Sequence, residues 1–188
     1  MKMLGRSVVT VLAVLLLNGV AAAMAPAPPP LETVPRVNLQ RYLGRWYEIA
    51  RSPNRFQHGC RESRADYSLQ EDGDIEVLNS CFDTDKGAIR QARGRAWVVD
   101  TTSNAKLKVS FFWPFRGDYW ILELGSNYEY AVVGTPDRNY FWILSRSPQM
   151  PDALYGQILH RAKQQGFLPA RVIRSFAAAP DSPRPDQH

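Results

Sequence analysis

Catalysis by side chains needs a nucleophile beside a base, or several ligands converging on a metal, and this sequence supplies little of either. Its two cysteines are Cys60 and Cys81, and its three histidines are His58, His160 and His188. Neither G-x-S-x-G nor H-E-x-x-H is present. The expectation is that the chain is no enzyme and carries no metal and no cofactor. What remains is the chemistry of recognition. An arginine such as Arg116 can present paired donors to a carboxylate or phosphate. Five Trp, eight Tyr and eight Phe supply large, stiff apolar surfaces for an interior or a ligand.

Composition bounds the scaffold that positions these groups. The 188 residues are 45% hydrophobic and 22% charged, which fits one ordinary globular domain. The net charge is +5, of which Lys2 and Arg6 contribute two units ahead of the apolar run Val8 to Val20. That run, followed by Ala21, Ala22 and Ala23, has the order of a secretory signal, so residues 1–23 are expected to be removed. Neither cysteine lies near the cleavage region, and the expected product is soluble, periplasmic or secreted, and begins near Met24. The remaining charge is too small and too dispersed for nucleic acid. Residues 24–36 are rich in proline and read as a linker, residues 37–176 as the folded domain, and residues 177–188 as a disordered tail.

Within the domain the hydrophobic period is two almost throughout. Eight strands are expected at 45–51, 63–69, 75–82, 91–99, 105–112, 118–124, 128–134 and 140–146, separated by turn chemistry such as Glu71-Asp72-Gly73 and Pro136-Asp137-Arg138-Asn139. The fold class is therefore all-β: an eight-stranded up-and-down antiparallel barrel, closed so that no edge is exposed and wide enough for one small ligand. A single C-terminal helix follows Pro151. Its stripe Leu154, Ile158, Leu159 and Ala162, ended by Gly166, would pack outside the barrel. Val172, Ile173 and Phe176 suggest a short ninth strand.

Three stretches carry a resemblance. Tyr42-Leu43-Gly44-Arg45-Trp46-Tyr47-Glu48-Ile49-Ala50-Arg51 contains G-x-W-Y-E, Leu107 to Phe112 follows, and Pro136 to Arg146 ends in Ile143-Leu144-Ser145-Arg146. In this order and spacing they resemble the lipocalin family, in particular its bacterial outer-membrane members and apolipoprotein D. The middle family signature, T-D-Y, is replaced here by Gly125-Ser126-Asn127, and the acylated cysteine of the bacterial members is absent. The resemblance implies a calyx that binds a small hydrophobic ligand, with Trp142 on its wall.

On that fold Gly44, Trp46 and Arg146 would close the base, the guanidinium lying across the indole. The loops Ser52 to Glu62, Asp83 to Arg90, Trp113 to Gly117 and Thr135 to Asn139 would then surround the mouth. Phe56 and Trp113-Pro114-Phe115 are apolar residues in such loops and suggest contact with a ligand or, transiently, a membrane surface; a cluster that merely holds the loops together is the plainer reading. Cys60 and Cys81 belong to the same rim, and in an exported chain their expected use is one disulfide. Hairpin counting about Asp72-Gly73 pairs Arg64 with Cys81, so a bulge or folded loop must bring Cys60 across.

Strand parity gives the interior. Leu107, Val109 and Phe111 face inward, as do Ala92, Gly94, Ala96 and Val98, whose small size leaves room for a cavity. Tyr140, Trp142 and Leu144 share one face. The strand at 118–124 is ambiguous, with Tyr119, Ile121 and Glu123 competing against Trp120, Leu122 and Leu124. The ligand-facing set is thus Trp142, Tyr140, Phe111, Val109, Val98, Ala96, Tyr119, Arg116 and Phe56. The ligand that the resemblance implies is a single-headed amphiphile, a fatty acid or lysophospholipid, bound in support of the cell envelope. A tetrapyrrole or other hydrophobic small molecule, favoured by the aromatic lining and His58, is the alternative. The expected oligomeric state is monomer or homodimer.

Overall fold

The computed structural model describes residues 29–176, so the signal-like segment, the first residues of the proline-rich stretch and the tail from 177 lie outside the described residues. The elements are α1 (Leu39–Tyr42), β1 (Gly44–Arg51), β2 (Cys60–Leu69), β3 (Ile75–Asp83), β4 (Ala88–Val98), β5 (Lys106–Phe112), β6 (Phe115–Leu124), β7 (Tyr130–Gly134), β8 (Phe141–Ser145), α2 (Asp152–Gln164) and β9 (Ile173–Arg174). Strands β2 to β8 pair in chain order, β8 pairs with β1, and β1 pairs again with β2, closing an eight-stranded antiparallel barrel. The ninth strand, β9, is added antiparallel to β1 through Ala50 and Arg51.

The strands form where alternation demands an inner and an outer face. One buried cluster fills the lower barrel around Trp46, Tyr67, Leu107 and Ile121. A second lies outside, where Ile158 and Ala162 of α2 pack over Ile49, Phe141 and Ile143 with Leu122, Val132 and Phe167. Helix α2 thus occupies the outer face that its apolar stripe requires. The proline-rich stretch is extended but docked: Leu31 is buried in the outer cluster, and Val34 and Val37 donate backbone hydrogen bonds to Ile121 and Ser103.

Differences from the sequence reading concentrate at the mouth. Strands β2, β4 and β6 each begin three residues earlier than expected, at Cys60, Ala88 and Phe115. Their ladders continue to the rim, where polar and apolar residues mix, as in Cys60 opposite Asp83 and Phe82 opposite Ile89, and no strict apolar alternation marks the strand start. The loops of the rim shrink accordingly, and Phe112 pairs with Phe115 across Trp113-Pro114.

The turn and two bulges account for the further differences. The β2–β3 hairpin turns about Asp72, with Leu69 opposite Ile75, so Arg64 pairs with Ser80 rather than Cys81, and beyond it a register shift between Arg61 and Arg64, with Glu62 at φ +51°, carries Cys60 across to the end of β3. In β6 the register shifts between Ile121 and Glu123. Tyr119 and Ile121 belong to the inner cluster, Leu122 packs outside, Glu123 also faces outward to Arg161 of α2 at 2.5 Å, and Leu124 returns inside. Neither alternation could fit the whole strand because the parity changes within it. The four-residue helix α1 was not foreseen; Asn38 caps it by accepting from Arg41 N–H at 3.2 Å, and it places Tyr42 beneath the barrel.

Candidate functional site

The barrel encloses a cavity of about 690 Å³ that opens on the side of the β1–β2, β3–β4, β5–β6 and β7–β8 connections. Ala96, Val109, Phe111, Tyr119, Tyr140 and Trp142 lie on its wall, with Phe56 and Arg116 at the mouth. Val98 is a correction: it faces inward as parity requires but sits at the lower end of β4, opposite Leu107, where it packs on the basal core and does not reach the cavity. The small wall of β4 leaves room at Ala92 and Ala96, whereas the space above Gly94 is taken by the Phe111 ring. A Cβ at Gly94 would stand 2.7 Å from that ring and 2.8 Å from the Ser110 carbonyl oxygen, so a larger residue would force Phe111 or β5 to shift.

An aromatic ladder runs from the rim inward. Phe56 lies 5.6 Å from Tyr140, which stacks on Trp142 at 5.8 Å and 20°. Trp142 also donates Nε1–H to Oε1 of Gln57 at 3.2 Å, tying the wall to the short turn Arg55–Gln57 over the mouth. Gln57 in turn donates to Glu48 Oε2 at 2.5 Å. Glu48 and Arg51, 6% and 5% exposed, form an ion pair at 2.9 Å. Arg51 further donates to the carbonyls of Gln57 and Cys60, both at 3.1 Å, and Ser175 Oγ donates to Glu48 at 2.5 Å. This network escaped the sequence reading. Glu48 shares the parity of Trp46, which was the available signal for its inward position, but beyond Arg51 of its own strand its partners come from the Arg55–Gln57 turn and from Ser175 after β9.

The disulfide Cys60–Cys81, with Cα atoms 5.4 Å apart, fixes the same rim. Beside it Arg90 pairs with Asp83 at 3.2 Å and donates to the His58 carbonyl at 3.1 Å, so the β1–β2 connection is held from both sides. At the tip of the β5–β6 hairpin Phe112, Trp113 and Phe115 are 74%, 75% and 71% exposed. Phe112 and Phe115 stack with centroids 6.5 Å apart.

The floor is polar in a different way. Tyr119 Oη lies 2.8 Å from Tyr42 Oη and 3.1 Å from Tyr67 Oη, and all three rings line the cavity. Burial raises each phenol pKa, that of Tyr67 to about 12 and those of Tyr42 and Tyr119 well above the usual value, so all three are neutral donors at ordinary pH. Tyr42 and Tyr67 also escaped the sequence reading. Tyr67 shares its parity with Ala65 and could have been found, whereas Tyr42 sits on a helix too short to show a period.

Below the phenols Trp46 is fully buried, and the Arg146 guanidinium lies 3.7 Å over its ring. Arg146 donates to the carbonyls of Arg45 at 2.7 Å, Arg41 at 2.8 Å, and Tyr42 and Tyr128 at 3.3 Å. Gly44, at φ +86°, adopts a conformation that glycine tolerates at little cost and turns the chain from α1 into β1.

Among the described residues no group of three His, Cys, Asp and Glu side chains could hold a metal. His58 is exposed, 3.5 Å from Asp85, and is not on the cavity wall. Both cysteines are in the disulfide. No helix among the described residues is long and apolar enough to cross a membrane.

Residues 37–177 match the model of the lipocalin-like domain. The chain is 42% identical over 155 residues to the outer membrane lipoprotein Blc of Escherichia coli K12, covering 82% of this chain and 88% of that protein. It is 41% identical over 120 residues to apolipoprotein D of Macaca fascicularis, covering 59% and 61%. The solved structure of insecticyanin from the tobacco hornworm Manduca sexta superposes with a TM-score of 0.64 at 19% identity, covering 81% of this chain and 91% of that one, and shows the shared fold. The closed barrel, the helix laid against it, the indole–guanidinium base and these matches agree, and the chain is a member of the lipocalin family.

Proposed function

We propose that this lipocalin binds and carries a single-headed amphiphile, a fatty acid or lysophospholipid, with the acyl chain in the calyx and the polar head at the mouth. The observation that carries the reading is the arrangement of the cavity wall. The wall is apolar at Ile75, Val77, Val109 and Leu144, and at its mouth the exposed Arg116 stands among aromatic residues as a charged group beside the opening. A chain bearing one charged end fits this layout, because the chain leaves water while the head keeps it. The guanidinium of Arg116 would receive a carboxylate or phosphate oxygen. The aromatic tip Phe112-Trp113-Pro114-Phe115 is the surface by which the mouth would meet a membrane. The tetrapyrrole alternative loses support, since His58 is not on the wall.

The relatives named as outer membrane lipoproteins support a role in the cell envelope. Export by residues 1–23 is part of the proposal, and with both cysteines in the disulfide neither is free for acylation. Fractionation should recover a non-acylated product beginning near residue 24; an acylated, membrane-bound form would contradict this part.

Native mass spectrometry and lipid extraction of the purified protein, followed by calorimetric titration, test the binding reading. Fatty acid and lysophospholipid should bind at micromolar concentration. Arg116→Ala should weaken anionic amphiphiles more than neutral ones of equal chain length. A parent protein that binds no amphiphile at these concentrations would overturn the proposal, as would coloured material carrying a tetrapyrrole.

A further inference from the structure

Three hydroxyls meet at the closed end of the calyx, and counting their protons leads to a ligand preference. Tyr42, Tyr119 and Tyr67 form a chain joined by two hydrogen bonds, of 2.8 and 3.1 Å. Each bond uses one donor, and three phenols carry three. One O–H is therefore left without an acceptor among the described residues. Tyr42 and Tyr67 are buried and Tyr119 is half-buried on the cavity wall, so an apolar ligand tip that displaces water from the floor would leave this donor unbonded, at the cost of its solvation.

The surroundings restrict what can satisfy this donor. Beside the phenols the wall is apolar, with Val77 opposite Tyr67, Leu107 opposite Tyr119, and Ile75 and Leu144 nearby, so once a ligand has displaced water the acceptor must come from the end of that ligand. A charged acceptor is disfavoured. The nearby cation, Arg146, lies against Trp46 with its donors committed to the carbonyls of Arg41, Tyr42, Arg45 and Tyr128. Glu48, also on the wall, is paired with Arg51, so that cation is committed as well. An ionised group would be desolvated here without a partner of opposite charge.

We propose that Tyr42, Tyr67 and Tyr119 form a hydrogen-bond donor site at the floor of the calyx that selects ligands carrying an uncharged oxygen at the tip remote from the head group. Acyl chains with a terminal hydroxyl or oxo group are then preferred over plain chains of the same length. The inference rests on the amphiphile reading above and adds to it a specificity at the buried end.

The test is calorimetric titration of the delipidated protein with hexadecanoate, ω-hydroxyhexadecanoate and a mid-chain hydroxyhexadecanoate. The ω-hydroxy chain should bind about fivefold or more tightly than the plain chain, the effect of one net hydrogen bond. The mid-chain isomer, whose hydroxyl stops beside Val77 and Val109, should bind more weakly than either. In the triple variant Tyr42→Phe, Tyr67→Phe, Tyr119→Phe the order of the ω-hydroxy and plain chains should reverse. That variant removes all partners together and so leaves no stranded hydroxyl to unfold the barrel. If the parent binds plain and ω-hydroxy chains equally, the floor site is refuted while the calyx reading stands, and this comparison needs no variant. Binding of neither chain would remove both. An unchanged preference in the folded triple variant would assign the selectivity elsewhere and refute the proposal.

Discussion

Trp142 and Gln57, 85 residues apart in the chain, are joined by an indole N–H donated to a side-chain amide oxygen at 3.2 Å. A residue of the cavity wall thereby holds the turn that overhangs the mouth. The two roles of Trp142 are separable. Trp142→Ala should lower affinity for an acyl chain by roughly 1 to 3 kcal/mol through lost apolar contact. Trp142→Phe keeps a ring against Tyr140 but loses the donor, and should mainly speed dissociation. Calorimetry of both variants, with stopped-flow release of a bound fatty acid, separates the effects. Parent-like affinity in Trp142→Ala would remove Trp142 from the ligand wall.

The base should respond as a fold element rather than as a binding element. Trp46 is fully buried under a guanidinium that makes four carbonyl hydrogen bonds, so Trp46→Ala should cost about 3 to 5 kcal/mol of stability. Arg146→Lys retains the charge but cannot reproduce the planar fork that spans β1, α1 and the β6–β7 turn, and should also destabilise. Denaturant melts measure both. A loss of affinity without loss of stability in Arg146→Lys would mark the residue as part of the ligand site.

The buried pair Glu48–Arg51 gives a sharper expectation. Removing one charge strands the other, so Glu48→Gln should cost about 3 kcal/mol or more, whereas Glu48→Leu combined with Arg51→Leu should cost much less than the sum of the single changes. Chemical denaturation of the four proteins in this cycle provides the coupling energy. Additive losses would show that the pair is not the unit that organises the rim.

These residues also show how much the sequence discloses. Period-two alternation sufficed for eight strands and for the inward faces at Val109, Phe111, Tyr140 and Trp142, because a barrel wall separates core from solvent at every second residue. It failed in β6, where a bulge between Ile121 and Glu123 exchanges the faces, and at Val98, because parity says which way a side chain points but not how deep it lies. The Glu48–Arg51–Gln57–Ser175 network was illegible for another reason. Parity with Trp46 turns Glu48 inward, but nothing in the pattern names its partners, and only the closed barrel brings Ser175 to within 2.9 Å of Arg51.

Reduction of Cys60–Cys81 should lower stability by roughly 2 to 4 kcal/mol, in line with a cross-link spanning 21 residues. The loss should be accompanied by loosening of the β1–β2 connection, read as faster amide exchange over residues 52–59 than over β3. Equal exchange in oxidised and reduced protein would show that the Arg90 and Arg51 contacts suffice to hold the mouth.

The phenol floor makes stability depend on alkaline pH. Tyr42, Tyr67 and Tyr119 are all raised by burial, Tyr67 to about 12, against about 10 in an unfolded chain. Below about pH 10 the phenols are protonated in both states and leave stability unchanged. From about 10 to 12 the unfolded chain releases protons that the folded barrel retains, so the unfolded state binds fewer protons and stability falls as pH rises. For Tyr67 alone the loss is on the order of 2 kcal/mol across that window. Tyr130, raised to about 12 by burial and by its hydrogen bond to Glu123, declines in the same range. The triple variant Tyr42→Phe, Tyr67→Phe, Tyr119→Phe should therefore flatten the alkaline slope without abolishing it. Urea melts between pH 8 and 12 provide the measurement, and parallel curves for parent and variant would mean that the three hydroxyls ionise as freely in the folded barrel as outside it.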